Sequence, residues 1–187
     1  MNNALNFYID GEWVAPAGNA RLPVIDPCTE TPFSEIAVGD ARDVDRAVAA
    51  ARRAFTTFSL TDPAERIALV RRILDAYLAR YDEIADTISR EIGAPRPFAH
   101  EWQAGLGRRH LEELLRTCET FAWQRSKGTT LVRYEPVGVA ALITPWNWPM
   151  NQIVSKVAPA LAAGCTMVLK PSEVSPLNAV LFAEVLD

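Results

Sequence analysis

Along the chain the spacing of apolar residues switches from strand-like to helical and then back into a mixed unit. Phe7 to Val14 reads as a hairpin, with Asp10-Gly11 supplying a primed turn between two three-residue runs. Leu22 to Asp26 and Phe33 to Val38 are further short strands between Pro- and Thr-rich turns. From Asp40 the period becomes helical: Val44, Val48, Ala51, Phe55 and Phe58 form a stripe behind an Asp cap, with Asp43 near the amino end. A second helix opens at Thr61-Asp62-Pro63, where cap residues precede proline at the first helical position. Its stripe is Ile67, Val70, Leu74, Tyr77, Tyr81, Ile84 and Ile88, with a break near Tyr81 and an end at Gly93. The stripe is short and its flanking charges are irregular, which favours a packed helical layer over a coiled coil. A third helix is expected from about Pro97 to Phe121. Ser126 to Thr130 then reads as a polar break and Leu131 to Glu135 as a short strand.

The stretch from Val137 to Glu173 carries the chemistry. Val137 to Ile143 is a near-continuous apolar run that suits a strand buried on both faces of a parallel sheet. Pro145 and Pro149 bracket a turn, so Thr144 and Trp148 should be extended and a helix should begin at about Pro149. Ile153, Val157, Ala160 and Leu161 share one helix face, and Gly164 supplies a left-handed stop. Thr166 to Leu169 is a second apolar run, ended by Lys170 and Pro171. Strand, helix, strand implies a right-handed parallel crossover. Ligands of open parallel sheets sit outside the carboxyl ends of strands, where Asn147, Lys170, Ser172 and Glu173 fall.

TPWNWP, a lysine nine residues beyond its asparagine, and ALAAGCTMVLKPSE followed by a proline-started helix resemble the NAD(P)-dependent aldehyde dehydrogenase superfamily. The resemblance runs from the first strand to the last residue and covers roughly the first two-fifths of a typical member. It implies an α/β fold: an incomplete Rossmann-like cofactor domain made of small amino-terminal strands, a helical layer and one parallel βαβ crossover, with part of an oligomerisation arm. Residues 1–125 would be the amino-terminal part of that domain, 126–136 part of the arm that pairs between subunits, and 137–187 the start of the parallel core. Self-association into a homo-oligomer is implied by the same analogy.

Read from the residues alone, Asn147 is a turn former between prolines. The resemblance makes it an oxyanion stabiliser, because an amide donor aimed at the oxygen of a tetrahedral intermediate contributes about 3 kcal/mol to the transition state. Lys170, Ser172 and Glu173 would read the adenosine ribose, Glu173 accepting from its hydroxyls and Lys170 donating; a solvated loop is the bland alternative. Both NAD and NADP fit these residues. Thr144, Pro145, Trp146 and Asn147 would line the same cleft as cofactor-binding residues, with Trp146 as an apolar wall. Lys156 is placed by analogy near the cofactor, with an electrostatic or proton-relay role, although an exposed lysine on a helix would be unremarked there. Gln152 and Ser155 would face the aldehyde tunnel.

Composition narrows the remaining classes. Hydrophobic residues at 49% and charged ones at 22% are ordinary for a globular chain. A net charge of −4 without a dense basic run disfavours a nucleic-acid partner. The amino terminus lacks the features of a secretory signal, and no apolar run approaches the ~20 residues needed to span a bilayer. Cys28, Cys118 and Cys165 are odd in number and lack metal-ligand spacing, which fits a reducing cytoplasm. None has a base nearby in sequence, and all three read as packing residues. His100 and His110 belong to no recognisable triad. Gly105 to His110 begins like a dinucleotide fingerprint, but it lacks the third glycine and follows a helix.

The family mechanism also needs a cysteine that forms a thiohemiacetal, a nicotinamide that takes the hydride, and a glutamate that activates water. By resemblance these, and the Gly-rich cofactor turn, come after the helix begun at Ser175-Pro176, in which the sequence stops. The 187 residues are therefore expected to be inactive alone. The alternative is a non-catalytic remnant that binds nucleotide weakly or associates with an intact subunit.

Overall fold

The computed structural model describes residues 3–187. Strands β1 (Phe7–Ile9) and β2 (Glu12–Val14) close over Asp10-Gly11. Both turn residues have positive φ, 60° and 78°, as a type I′ turn requires. β3 (Arg21–Asp26) and β4 (Thr31–Ala37) form a second antiparallel pair. Tyr8 and Trp13 of the first hairpin donate to the Asp187 carboxylate at 3.1 and 3.2 Å, so the amino end lies against the end of the final helix.

Helix α1 (Ala41–Phe58) starts at the expected Asp40, whose carboxylate accepts from Arg42 N–H while Asp43 reaches back to the Asp40 N–H. Its covered face differs from the apolar stripe. Val44 and Val48 are exposed, whereas Ala50 and Ala51 are buried. Small alanines let the helix backbone approach a strand, and the Thr166 hydroxyl donates to the Ala51 carbonyl at 2.8 Å.

The long second helix is two: α2 (Pro63–Ala79) and α3 (Tyr81–Ile92) break at Arg80, whose guanidinium bonds Glu83 and Glu184. The expected third helix is also divided. A single turn, α4 (Arg96–Phe98), leads into a π-helical turn, Ala99–Ala104, and then α5 (Gly105–Thr120). Two tyrosines bind this widened turn: Tyr81 donates to the His100 carbonyl at 2.5 Å and Tyr77 to the Ala104 carbonyl at 2.8 Å.

Gly105 and Gly107, the fingerprint decoy, serve helix packing. A Cβ on Gly107 would lie 2.5 Å from the Tyr77 hydroxyl and 3.2 Å from Met150 Cβ. Tyr77 is fully buried and hydrogen-bonded, so it cannot swing aside. Gly107→Ala is accordingly expected to destabilise by about 1–3 kcal/mol through overpacking, although Gly to Ala in an open helix stabilises by roughly 1 kcal/mol. A melting temperature that rises in the variant would refute the close approach.

After α5 the polar stretch is itself a strand. β5 (Gln124–Lys127) pairs antiparallel with β6 (Thr130–Arg133) across a turn whose Gly128 has φ 62°. Gln-Arg-Ser-Lys has no apolar alternation because every residue in it is exposed. β7 (Val139–Ile143) and β8 (Thr166–Lys170) are parallel and joined by α6 (Pro149–Ala162); α7 (Leu177–Leu186) closes the chain.

The core is helical. Val70, Tyr77, Ile84, Ile88, Leu111, Met150, Ile153, Val154, Leu181 and Phe182 meet between α2, α3, α5, α6 and α7. β7 is not buried on both faces as its composition suggests: Ile143 is 72% exposed and Ala141 is exposed too. No helix of the described residues is long and apolar enough to cross a membrane.

Candidate functional site

The two parallel strands finish in register, Ile143 opposite Lys170, and the Thr144 N–H extends the ladder to the Lys170 carbonyl at 3.2 Å. Beyond that bond the chains part into two loops, one carrying Pro145, Trp146 and Asn147, the other Ser172 and Glu173. The residues singled out from sequence thus meet at one end of one sheet. Thr144 is buried beneath them, while Pro145, Trp146 and Asn147 are exposed.

Pro149 opens α6, as its fixed φ favours, and Trp148 before it is non-helical at φ −140° and ψ 67°. No side chain caps this helix start, so its free N–H groups and the positive end of its dipole sit immediately after Asn147. The loop is held from below by the segment around the π turn. Phe98 packs on Trp148 with centroids 5.6 Å apart, Gln103 Nε2 donates to the Asn147 carbonyl at 3.3 Å, and His110 Nε2 bonds Asn151 Oδ1 at 2.7 Å. The Gln103 bond uses the main-chain oxygen of Asn147 and leaves its side-chain amide free of that contact.

On the other loop Lys170 Nζ and Glu173 Oε2 pair at 2.9 Å, both well exposed. The Glu173 carboxyl is held below its ordinary range by its own backbone N–H first and by Lys170 second. The Ser172 hydroxyl accepts from the Val174 N–H at 3.2 Å and shapes the turn. A donor, an acceptor and a hydroxyl therefore stand at one strand end, open to solvent.

Glu91 anchors this second loop and was not singled out from sequence, where one glutamate on a helix reads as a solvated charge. It is 2% exposed and accepts from the Ser175 hydroxyl at 3.1 Å, the Asn178 N–H at 3.1 Å, the Asn178 side-chain amide at 2.7 Å, and the Leu177 N–H. It thus satisfies the amino-terminal N–H groups of α7 from a neighbouring helix. Burial pushes its carboxyl up to about 7, against the pull of these donors.

The far end of the crossover is closed by Arg66. Its Nε donates to the Ala162 carbonyl at 2.8 Å, a cation at a helix carboxyl terminus, and it lies over the Trp123 ring. Gly164, at φ 84°, completes a Schellman stop in which Gly164 N–H bonds Leu161 and Cys165 N–H bonds Ala160, each at 2.9 Å.

Lys156 lies on α6. Its ammonium is committed to Gln152, to the carbonyl at 3.1 Å and the side-chain oxygen at 2.7 Å. Of the cysteines, Cys118 and Cys165 are buried as expected, but Cys28 is exposed in the β3–β4 turn. Burial raises the Cys118 thiol above its ordinary value. Cys165 immediately precedes β8, at the end of the strand opposite to Lys170.

A parallel crossover with polar groups gathered at its carboxyl ends is the ligand-bearing unit of Rossmann-like α/β folds. The chain belongs to the aldehyde dehydrogenase family, whose model matches residues 13–187. It is 47% identical over its whole length to a 3-succinoylsemialdehyde-pyridine dehydrogenase from a Pseudomonas species, of which it covers 39%. Among solved structures, an aldehyde dehydrogenase from Bartonella henselae superposes with a TM-score of 0.96 at 46% identity, over 100% of this chain and 40% of that one. A variant of aldehyde dehydrogenase C from Pseudomonas syringae, solved with NAD+ and octanal, gives a TM-score of 0.96 at 48% identity over 98% and 38%. The chain thus spans about two-fifths of the length of its relatives.

Proposed function

We propose that this chain supplies the cofactor cleft and the oxyanion donor of an aldehyde dehydrogenase that oxidises an aldehyde to a carboxylic acid with NAD+ or NADP+. The observation that supports this reading is the register of β7 and β8, in which the loop carrying Asn147 and the Lys170–Glu173 pair leave the same strand end. In that role the Asn147 amide donates to the oxygen that becomes negative when a nucleophile adds to the aldehyde carbon. The dipole of α6 adds positive potential beside it. Glu173 accepts from, and Lys170 donates to, the ribose hydroxyls of the dinucleotide, with Thr144, Pro145 and Trp146 forming the wall between. The exposed Lys170, Glu173, Pro145 and Trp146 fit such a ligand, and when bound it supplies the hydride acceptor. Ser172 and Lys170 are the residues that would meet a 2′-phosphate. Lys156, on Gln152, would act only through the local potential.

The domain division follows the same reading: residues 1–125 and 137–187 build the cofactor domain and 126–136 belong to a subunit-pairing arm. Leu131 and Tyr134, 61% and 53% exposed, are the apolar groups such a contact would cover in a homo-oligomer. Among the described residues no cysteine stands at the carboxyl ends of β7 and β8, and the 187 residues alone are expected to bind a nucleotide without oxidising an aldehyde.

Calorimetric titration with NAD+ and with NADP+ tests the assignment. Lys170→Ala is expected to weaken binding by about tenfold, the value of one hydrogen bond from a charged donor. Equal binding by the variant, or no binding of either nucleotide by the native chain, would remove Lys170 and Glu173 from the cofactor site. Aldehyde-dependent reduction of NAD+ by these residues alone would overturn the expectation of inactivity.

A further inference from the structure

We infer that Gln103 is a positioning residue that fixes the backbone of Asn147 and so aims its amide; the inference rests on the oxyanion role proposed for Asn147. Gln103 is 3% exposed, and it spends its Nε2 on the Asn147 carbonyl at 3.3 Å. Its other polar atom, Oε1, is buried with no hydrogen-bond partner among the described residues. A buried amide satisfied at one end only is a poor choice for stability, since an apolar side chain of the same length would avoid the desolvation of both ends. The acceptor gains little structurally either, because Asn147 is exposed and water could satisfy its carbonyl. The bond therefore stabilises the fold weakly and fixes one loop position strongly.

The local backbone points the same way. Gln103 lies in the π-helical turn, Ala99–Ala104, where the wider winding turns its side chain differently from an α-helical residue. The hydroxyls of Tyr77 and Tyr81 hold that turn through the Ala104 and His100 carbonyls. Phe98 and His110, on either side, grip Trp148 and Asn151. Of these three grips, Gln103 is the one that reaches Asn147 itself. Two prolines flank the loop and limit its backbone, so one further hydrogen bond is enough to select a peptide orientation there.

The test is Gln103→Met, which matches glutamine in length but has no donor, with Gln103→Leu as a second apolar replacement should methionine pack poorly. Amide exchange of Trp146, Asn147 and Trp148 in the chain is expected to quicken by about tenfold while that of α2 and α7 is unchanged. The melting temperature should stay level or rise. In the enzyme carrying this chain, kcat for aldehyde oxidation should fall by about 10- to 100-fold, the penalty of a small misalignment, with KM for the nucleotide unchanged. A lower melting temperature with unaltered loop exchange, or an unaltered kcat, would make Gln103 merely structural and overturn the inference. If the unsubstituted enzyme oxidises no aldehyde, it is the role of Asn147 that fails. Loop exchange then still decides whether Gln103 fixes that backbone.

Discussion

Asn147→Ala is expected to lower kcat for aldehyde oxidation by about 10²- to 10³-fold in the enzyme that carries this chain, the usual loss when one oxyanion donor is removed. The reason lies in where its charge partner forms. An amide aimed at an oxygen that is neutral in the substrate and negative in the transition state stabilises the second far more than the first, so kcat carries the loss and substrate binding does not. Asn147 is exposed, its backbone is bonded through its carbonyl, and the Pro149 start of α6 does not depend on its side chain. Folding should therefore be unchanged, and nucleotide affinity, which the proposal assigns chiefly to Lys170 and Glu173, should be largely unchanged too. Steady-state kinetics with parallel calorimetry separate these quantities. A fall in nucleotide affinity equal to the fall in kcat would make Asn147 a cofactor contact alone, without the oxyanion role, and an unchanged kcat would return it to the role of turn former.

The largest expected loss of stability belongs to Glu91→Ala. The substitution leaves the Ser175 hydroxyl and two backbone N–H groups without their acceptor and the Asn178 amide with only the Ser175 oxygens, all buried. Even if water enters to meet part of this need, the cost is on the order of 3 kcal/mol or more, a fall in melting temperature of about 10 °C. Because these donors form the start of α7 and the loop that ends at Ser175, nucleotide binding at Lys170 and Glu173 should weaken as well. The same carboxyl carries a pH dependence. Its folded value of about 7 lies above its ordinary 4.5, so between these limits the folded chain holds a proton that the unfolded chain does not. That stabilisation is complete below 4.5 and is lost as pH rises through 7. Glu91→Gln removes the titration. The stability of the native chain relative to this variant should fall between these two limits and then stay flat. A difference that is constant, or that grows with pH, would show that the four donors outweigh burial.

Local signals made the crossover and most of its site readable. The prolines at 145 and 149, the glycine at 164 and the two apolar runs each act through backbone restrictions within a few residues, and the structure puts each boundary within two residues of its expected place. The Asp10-Gly11 turn and the Asp40 and Asp62 caps were readable for the same reason. Elements governed by distant partners were not. Val44 and Val48 mark an apolar stripe, yet α1 turns its alanines inward because the backbone of β8 approaches there. The π turn depends on hydroxyls from Tyr77 and Tyr81 on two other helices. β5 has no apolar alternation because neither of its faces is covered.

By itself, then, the sequence determined most of the elements, their order, the crossover and the residue types at the strand ends, since these follow from φ restriction, capping and periodicity. It determined the family as well, through motifs whose spacing spans one βαβ unit. Only the tertiary structure decided the register of the two strands, Ile143 opposite Lys170. It also decided that Gln103 grips the first loop and that Glu91, from another helix, anchors the second. Such contacts join residues 44 to 87 positions apart, and no local rule ties a buried glutamine or glutamate to a partner that far along the chain. Burial and hydrogen-bond satisfaction select those partners, and both exist only once the helices have packed.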